Sequence, residues 1–416
     1  MEDFDRIEYY TRIIDELSSK NDDNEELFWA YIERGIAYFN NVEYDLAARD
    51  FEAAIDINPD EAVSYYNLGI IAKQRNNFDR AVDYFKKVIE LDINNNNAYY
   101  ELGLVMNEMK NYESALDYFS KAISYGRKTA DVFYNRAVSF VALNRLDEAL
   151  KSINAAIKLK QSNPLYYIVR SNIYLSNHNY FKSIADLTSA IRLKPEFPSY
   201  RFNRAITYAT VASCIKFSTD SSNSILIEKA REISNDFKGE NFNLYYTLAE
   251  YDINKAIDKE VSLYRNPENI TPSYYLTRGA IYLSWGKEID AVYNFVMAKR
   301  SIKMIDRGIS DELRAEYLPS KFYLMKALIH LYLDDYDEAK KNLDVMLNND
   351  AMSERLDLLY ACYWWSREKD FEKTNFWFQR AFKKGFDIYN LVDDLFEGHF
   401  LRSFFFELEK RNLINF

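Results

Sequence analysis

The sequence predicts an all-α solenoid, a right-handed superhelix of about nine antiparallel helix pairs with a capping helix at each end. Three observations carry that expectation. Small residues stand 34 apart at Gly35, Gly69, Gly103, Ala137, Ser171 and Ala205. A fixed period of this size marks one supersecondary unit stacked many times. Parallel combs run with it: Ala47, Ala81, Ala115, Ala149 and Ser183; the bulky Phe51, Phe85, Phe119, Ile153 and Leu187; and Tyr44, Phe78, Tyr112, Leu146 and Tyr180. Small residues let two helix backbones approach, and bulky ones fill the gap between pairs. Finally, only 10 Gly and 7 Pro occur in 416 residues, so little interrupts a helix.

Taken in order, residues 1–27 form an acidic capping segment. Phe4, Ile7, Tyr10, Ile13, Ile14 and Leu17 share one face of a helix over 3–19, placed to cover the first repeat. Five regular units follow at 28–61, 62–95, 96–129, 130–163 and 164–197. In each, the first helix stops at a polar turn such as Asn76-Asn77 or Lys110-Asn111. An acid then opens the second helix at Asp45, Asp79, Glu113 and Asp147, where it complements the helix dipole. Pro59 and Pro195 close repeats because proline cannot continue a helix. A sixth unit, 198–271, carries an inserted segment 213–243 with a further helix over 225–236; Ala249, Ile253 and Ala256 supply its second helix. Three more units occupy 272–385 with an insertion at 306–319, the last needing a first helix one residue longer. Residues 386–416 form an aromatic-rich cap. Phe404, Phe405 and Phe406 cannot all face inward on one helix, and an aromatic left outside would offer a homo-oligomer contact.

The formal charge of −11 is concentrated, with −7 in residues 1–27. No basic stripe is present, which argues against nucleic acid and against an anionic membrane surface as partners. No apolar run reaches the roughly 18 residues of a membrane span, and the acidic start has no positive leader region, so a cytoplasmic protein is expected. Cys214 and Cys362 read as separate buried thiols. His178, His330 and His399 stand in no metal-ligand spacing, and no glycine-rich phosphate loop is present. The expectation is no enzyme, no metal and no cofactor.

The combs resemble the tetratricopeptide repeat. The first unit shows its pattern as Tyr31, Arg34, Gly35, Tyr38, Ala47, Phe51, Ala54 and Pro59; the second as Tyr65, Leu68, Gly69, Ala81 and Phe85; the third as Tyr99, Leu102, Gly103, Ala115, Phe119 and Ala122. The resemblance implies a concave groove lined by first helices, and a scaffold or adaptor that binds an extended segment or helix of a partner protein. On that basis Tyr66, Tyr100, Tyr134 and Phe202 are candidate apolar contacts. Asn67, Asn135 and Asn203 form a candidate amide ladder, interrupted by Glu33, Glu101 and Val169, and Asn172 lies one turn further along. An asparagine amide both donates and accepts, so it can pair with any peptide backbone. The clamp with which some family members hold acidic chaperone tails needs Lys, Asn and Arg where this chain has Ile32/Ile36, Tyr66/Ile70 and Tyr100/Leu104. Arg34, Arg136, Arg170, Arg204 and Arg278 form a column whose stems are expected to pack while their heads meet water or an acid. Two other readings stand beside the scaffold: a self-associating structural protein, or the regulatory subunit of an enzyme complex.

Overall fold

Each repeat is held by one contact. Four comb glycines face a phenylalanine ring on the second helix of their own repeat. A Cβ placed on Gly35, Gly69, Gly103 or Gly279 would stand 2.8, 2.7, 2.5 or 2.5 Å from Phe51, Phe85, Phe119 or Phe295. Real Cβ atoms do not approach so closely, and these rings are almost wholly buried. In three repeats with alanine at the comb the bulky residue is aliphatic: Ala137 with Ile153, Ala205 with Ile253, Ala327 with Leu343. These pairs conserve volume, as close packing requires; the ninth repeat, whose first helix is one residue longer, combines Ala361 with Phe378 instead.

In the computed structural model the described residues are 3–20, 24–219, 225–234, 237, 241–264, 271–306, 320–348, 354–386 and 397–411. Among them every regular element is a helix. The chain divides into two compact units, Met1–Ile173 and Tyr174–Phe416.

The first unit opens with α1 (Asp3–Lys20), which packs on α2 (Asn24–Asn40). Arg6 pairs with Glu33, and the Arg34 guanidinium donates to Thr11 at 3.2 Å. Ile14 is buried, whereas Phe4, expected on the same face, is 72% exposed; there the polar Asp3 makes the contact instead, through Asn40. Then come α3 (Tyr44–Ile57), α4 (Ala62–Gln74), α5 (Phe78–Leu91), α6 (Asn96–Glu108), α7 (Tyr112–Ser124), α8 (Ala130–Ala142), α9 (Leu146–Leu159) and α10 (Pro164–Ser176). From α1 to α9 each helix packs on the next.

The second unit contains α11 (Tyr180–Leu193), α12 (Pro198–Ser218), α13 (Ile225–Ser234), α14 (Phe242–Tyr264), α15 (Pro272–Trp285), α16 (Glu288–Asp306), α17 (Ser320–Tyr332), α18 (Tyr336–Asn348), α19 (Glu354–Glu368), α20 (Phe371–Lys383) and α21 (Glu397–Lys410). α12 pairs with α14, and α13 packs on α12. Residues 213–218, placed in an insertion by the sequence, continue α12, because Ser213, Cys214 and Ile215 are buried there. Most of the insertion at 306–319 lies outside the described residues, as does much of 386–416. In the cap, Leu401, Phe404, Phe405 and Leu408 are buried within the unit. Phe404 packs on Trp365, Phe371 and Phe378. Phe404 and Phe405 are therefore spent on the unit's own core and do not offer a dimer surface; the Phe406 side chain lies outside the described residues.

The turn between the two helices of a repeat is equally regular. Seven positions after the comb, the backbone is left-handed at Val42, Asn76, Lys110, Asn144, His178, Gly286 and Asp334. In the ninth repeat Lys369 adopts this conformation eight positions after Ala361, so its first helix is one residue longer. The next N–H reaches back to close a Schellman-type end, as in Asn77 to Ala72 at 2.8 Å and Asn111 to Met106 at 2.8 Å. Asn77, Asn111 and Asn179 then cap the second helix with their side chains. Repeat six is different: Ala212, at the corresponding place, is helical and fully buried, and the inserted chain follows. No described helix is long and apolar enough to cross a membrane.

Two stability predictions follow from these contacts. Gly103→Ala should destabilise the chain by about 1–3 kcal/mol through overpacking against Phe119. Adding Phe119→Ile, which copies the Ala137/Ile153 pair, should recover part of that loss in urea unfolding; a double variant weaker than both singles would refute the steric account. Val42→Gly should raise stability by about 1 kcal/mol, since a β-branched residue at φ +66° is strained and 66% exposed. A fall in the unfolding midpoint would count against it.

Candidate functional site

The first helices of the first unit present a continuous column of half-buried aliphatic side chains: Ile36, Ile70, Leu104 and Val138. Each is one position after a comb residue, so the register of the repeat places them in line. Around this column lie the residues singled out by the sequence, and they are held by bonds between successive repeats.

Tyr66 packs edge-on against Phe85 at 5.7 Å, and burial, then the Glu101 carboxylate, pushes its hydroxyl up to about 12. Glu101 itself pairs with Lys73 of the preceding first helix. Tyr100 is 8% exposed and packs on Phe119 at 6.0 Å. The Arg127 guanidinium lies 4.0 Å from its ring centroid and also donates to Asp131 at 3.0 Å. Burial first, then Asp131, pushes the Tyr100 hydroxyl well above its ordinary value. That hydroxyl accepts from the Asn135 amide at 3.0 Å. Tyr134 packs on Tyr166 at 5.3 Å, and burial raises its hydroxyl too. Ser139 donates to Asn107 at 2.7 Å, linking two further first-helix positions.

These bonds limit what the amides can do. The Asn135 amide donates both to Tyr100 and to its own main chain at Asp131, 2.9 Å away. Its two N–H groups are thereby engaged, and its carbonyl oxygen is the group it can offer to a ligand. The Asn67 amide donates once, to Val63 at 3.0 Å. Asn172 is exposed at the far end of the column. Phe202 and Asn203 belong to the second unit, where Phe202 is stacked on Tyr274 at 4.6 Å and Asn203 is half-buried. The sequence-derived set is therefore brought together in the first unit as Tyr66, Asn67, Tyr100, Tyr134 and Asn135. Lys73, Arg127 and Asn107 were missed because they do not repeat at the period of 34, which was the signal followed.

The arginine column is internal bracing. Arg34 makes a bidentate pair with Asp50 at 2.8 and 2.7 Å, and Arg204 one with Asp252 at 2.6 and 2.9 Å. Arg136 donates to Ser152, Arg170 to Asn154 and Arg278 to Asn294. Among the described residues no group of three or more His, Cys, Asp or Glu is arranged to hold a metal ion. His330, buried, contacts Asp335 at 2.9 Å, and its burial lowers its pKa. His178 contacts the Tyr180 hydroxyl at 3.1 Å. The His399 side chain lies outside the described residues.

In repeats seven to nine of the second unit, the residues one position after the comb are closed off, whereas Ile206 in repeat six is half-buried. Ala280, Leu328 and Cys362 are 1%, 2% and 0% exposed. Here α21 packs on α19, Phe400 lies against Tyr332 at 4.9 Å, and Ser403 accepts from the Trp365 indole at 2.9 Å.

Comparison with known proteins agrees with this architecture. Family models of the tetratricopeptide repeat match residues 62–95, 100–164 and 320–344. No curated protein matches the sequence. A crystal structure of a tetratricopeptide repeat protein from Parabacteroides merdae superposes with a TM-score of 0.50 at 15% identity, over 72% of this chain and 96% of that one. YrrB, a tetratricopeptide repeat protein described as having an unusual peptide-binding site, superposes with a TM-score of 0.38 at 22% identity, over 51% of this chain and 93% of its own. MamA gives 0.37 at 19% identity, over 39% and 94%. Tetratricopeptide repeats are thus matched in both units, within an all-helical architecture of paired helices.

Proposed function

We propose that the chain is a non-catalytic protein-interaction scaffold whose first unit holds an extended segment or helix of a partner protein. The observation that carries this reading is the column Ile36, Ile70, Leu104 and Val138, half-buried on four successive first helices. In repeats seven to nine the equivalent positions Ala280, Leu328 and Cys362 are sealed by the second unit's own packing, and Ile206 of repeat six is half-buried there. An aliphatic stripe flanked by fixed polar groups suits a ligand with apolar side chains at intervals, and its main chain pairs with the flank. Asn135 acts there as an acceptor, so the ligand's N–H groups point to it. Asn67 both accepts and donates. Tyr66, Tyr100 and Tyr134 act as a rigid wall, their rings already fixed by neighbours, which lowers the entropy lost on binding.

The test is selection of peptides from a displayed random library on the intact chain, followed by affinity measurement. An Ile70→Lys/Leu104→Lys double variant should weaken the selected peptides at least about tenfold, since the stripe is then charged. Asn67→Ala and Asn135→Ala should each cost roughly 0.5–1.5 kcal/mol, the worth of one hydrogen bond. Phe181→Ser, an exposed second-helix change, should leave affinity unchanged. Peptides that bind the lysine variant as well as the parent chain would exclude this face.

A further inference from the structure

The second unit contains a cleft of about 450 Å³ that has no counterpart in the repeat pattern. It is lined by the end of α12 (Ser213, Lys216, Phe217, Thr219), by Tyr246 of α14, by Leu283 and Ser284 of α15, and by Arg402 of α21. A volume of this size falls in the range of small-molecule sites. Among the described residues its lining includes two cations and no carboxylate.

Tyr246 marks its floor. The residue is fully buried and stacked on Trp285 at 5.5 Å; its hydroxyl makes no well-aligned hydrogen bond among the described residues, and the Ser213 and Ser284 hydroxyls lie beside it. A buried hydroxyl left unpaired costs free energy, and structures rarely leave one so without a reason. Burial pushes this hydroxyl above its ordinary value, with the Arg402 charge acting the other way, so it stays a neutral donor. The Lys216 ammonium donates to the Ser284 main-chain oxygen at 2.8 Å, which holds it at the wall. The Arg402 guanidinium lies over the Phe217 ring, 5.2 Å from its centroid. Donors therefore come from four helices, and the walls between them are aromatic and aliphatic.

We propose that this cleft binds a small organic phosphate monoester. Lys216 and Arg402 hold the phosphate, the Tyr246, Ser213 and Ser284 hydroxyls complete its hydrogen bonds, and Phe217 and Leu283 receive the organic part. A phosphate offers three terminal oxygens and close to two charges, which match two cations and three hydroxyls better than a carboxylate's two oxygens and one charge. Because α21 supplies Arg402, an occupied cleft ties the C-terminal helix to repeats six and seven.

Isothermal titration of the intact chain with phenyl phosphate, inorganic phosphate and benzoate tests this. Phenyl phosphate should bind saturably with a Kd below about 1 mM, and more tightly than either of the others. Lys216→Gln and Arg402→Gln should each weaken it about tenfold or more, as expected for charge-assisted bonds. Tyr246→Phe should weaken binding while the free protein's melting temperature stays close to the parent's, because the buried hydroxyl makes no well-aligned hydrogen bond in the free cleft. No saturation by about 10 mM phenyl phosphate would overturn the proposal, since the wild-type chain alone decides that point. Equal or tighter binding of benzoate would overturn the phosphate assignment. Unchanged affinity in both glutamine variants would place the anion elsewhere.

Discussion

The rest of the structure depends on the contact between a comb residue and the bulky side chain sixteen residues later. In four repeats the comb position has no room for a Cβ, because a phenylalanine ring lies directly against the helix backbone. That approach sets the spacing of the two helices, and the spacing sets which faces remain for the next repeat. Since each repeat packs on its neighbours, a change at this contact shifts every residue that the first helix presents. The aliphatic column Ile36, Ile70, Leu104 and Val138 is in line because the comb contact recurs beneath it, as glycine against a phenylalanine ring in the first three repeats and as Ala137 with Ile153 in the fourth.

The same interval of sixteen governs the residue just before the comb. Arg34, Arg136 and Arg278 reach Asp50, Ser152 and Asn294 at that separation. Where the column holds Leu68 and Leu102, the residue sixteen later is Tyr84 and Tyr118, and both pairs join apolar clusters. Polar answers polar and apolar answers apolar at this interval. Arg204 extends the rule across the insertion. Its partner Asp252 is 48 residues away, which is sixteen plus the 32 inserted between the helices of repeat six. The insertion enters where the left-handed turn is missing, at Ala212, and the chain resumes its pairing on the far side without altering it.

Much of this was legible in the sequence because it repeats. The combs gave the helix pairs, the polar dipeptides gave the turns, and Ala249, Ile253 and Ala256 gave the second helix of the interrupted repeat, all three now fully buried. What repeats only once was not legible. The sequence places the end of α12 in an insertion because the comb breaks after Ala205 and a serine-rich stretch follows, although tertiary burial of Ser213, Cys214 and Ile215 keeps it helical. Phe4 was placed on a buried face by spacing alone, while Asp3 takes the contact with Asn40. In sequence the aromatic tail reads as a cap that leaves one of Phe404 to Phe406 outside; Phe404 and Phe405 both fill a core that α19, α20 and α21 share.

The asparagine column shows the limit most clearly. Spacing alone makes Asn67, Asn135 and Asn203 equivalent, and a free amide would both donate and accept. The structure makes them different. Asn135 has both N–H groups engaged by Tyr100 and Asp131, and Tyr100 is in turn held by Arg127, a residue outside every comb. A side chain whose donors are engaged presents an acceptor in a fixed orientation, which under the proposed function suits ligand N–H groups rather than peptide in general. Phe202, beside Asn203, is stacked on Tyr274 and belongs to a different unit. The repeat therefore supplies positions, and the non-repeating neighbours decide what each position can bind.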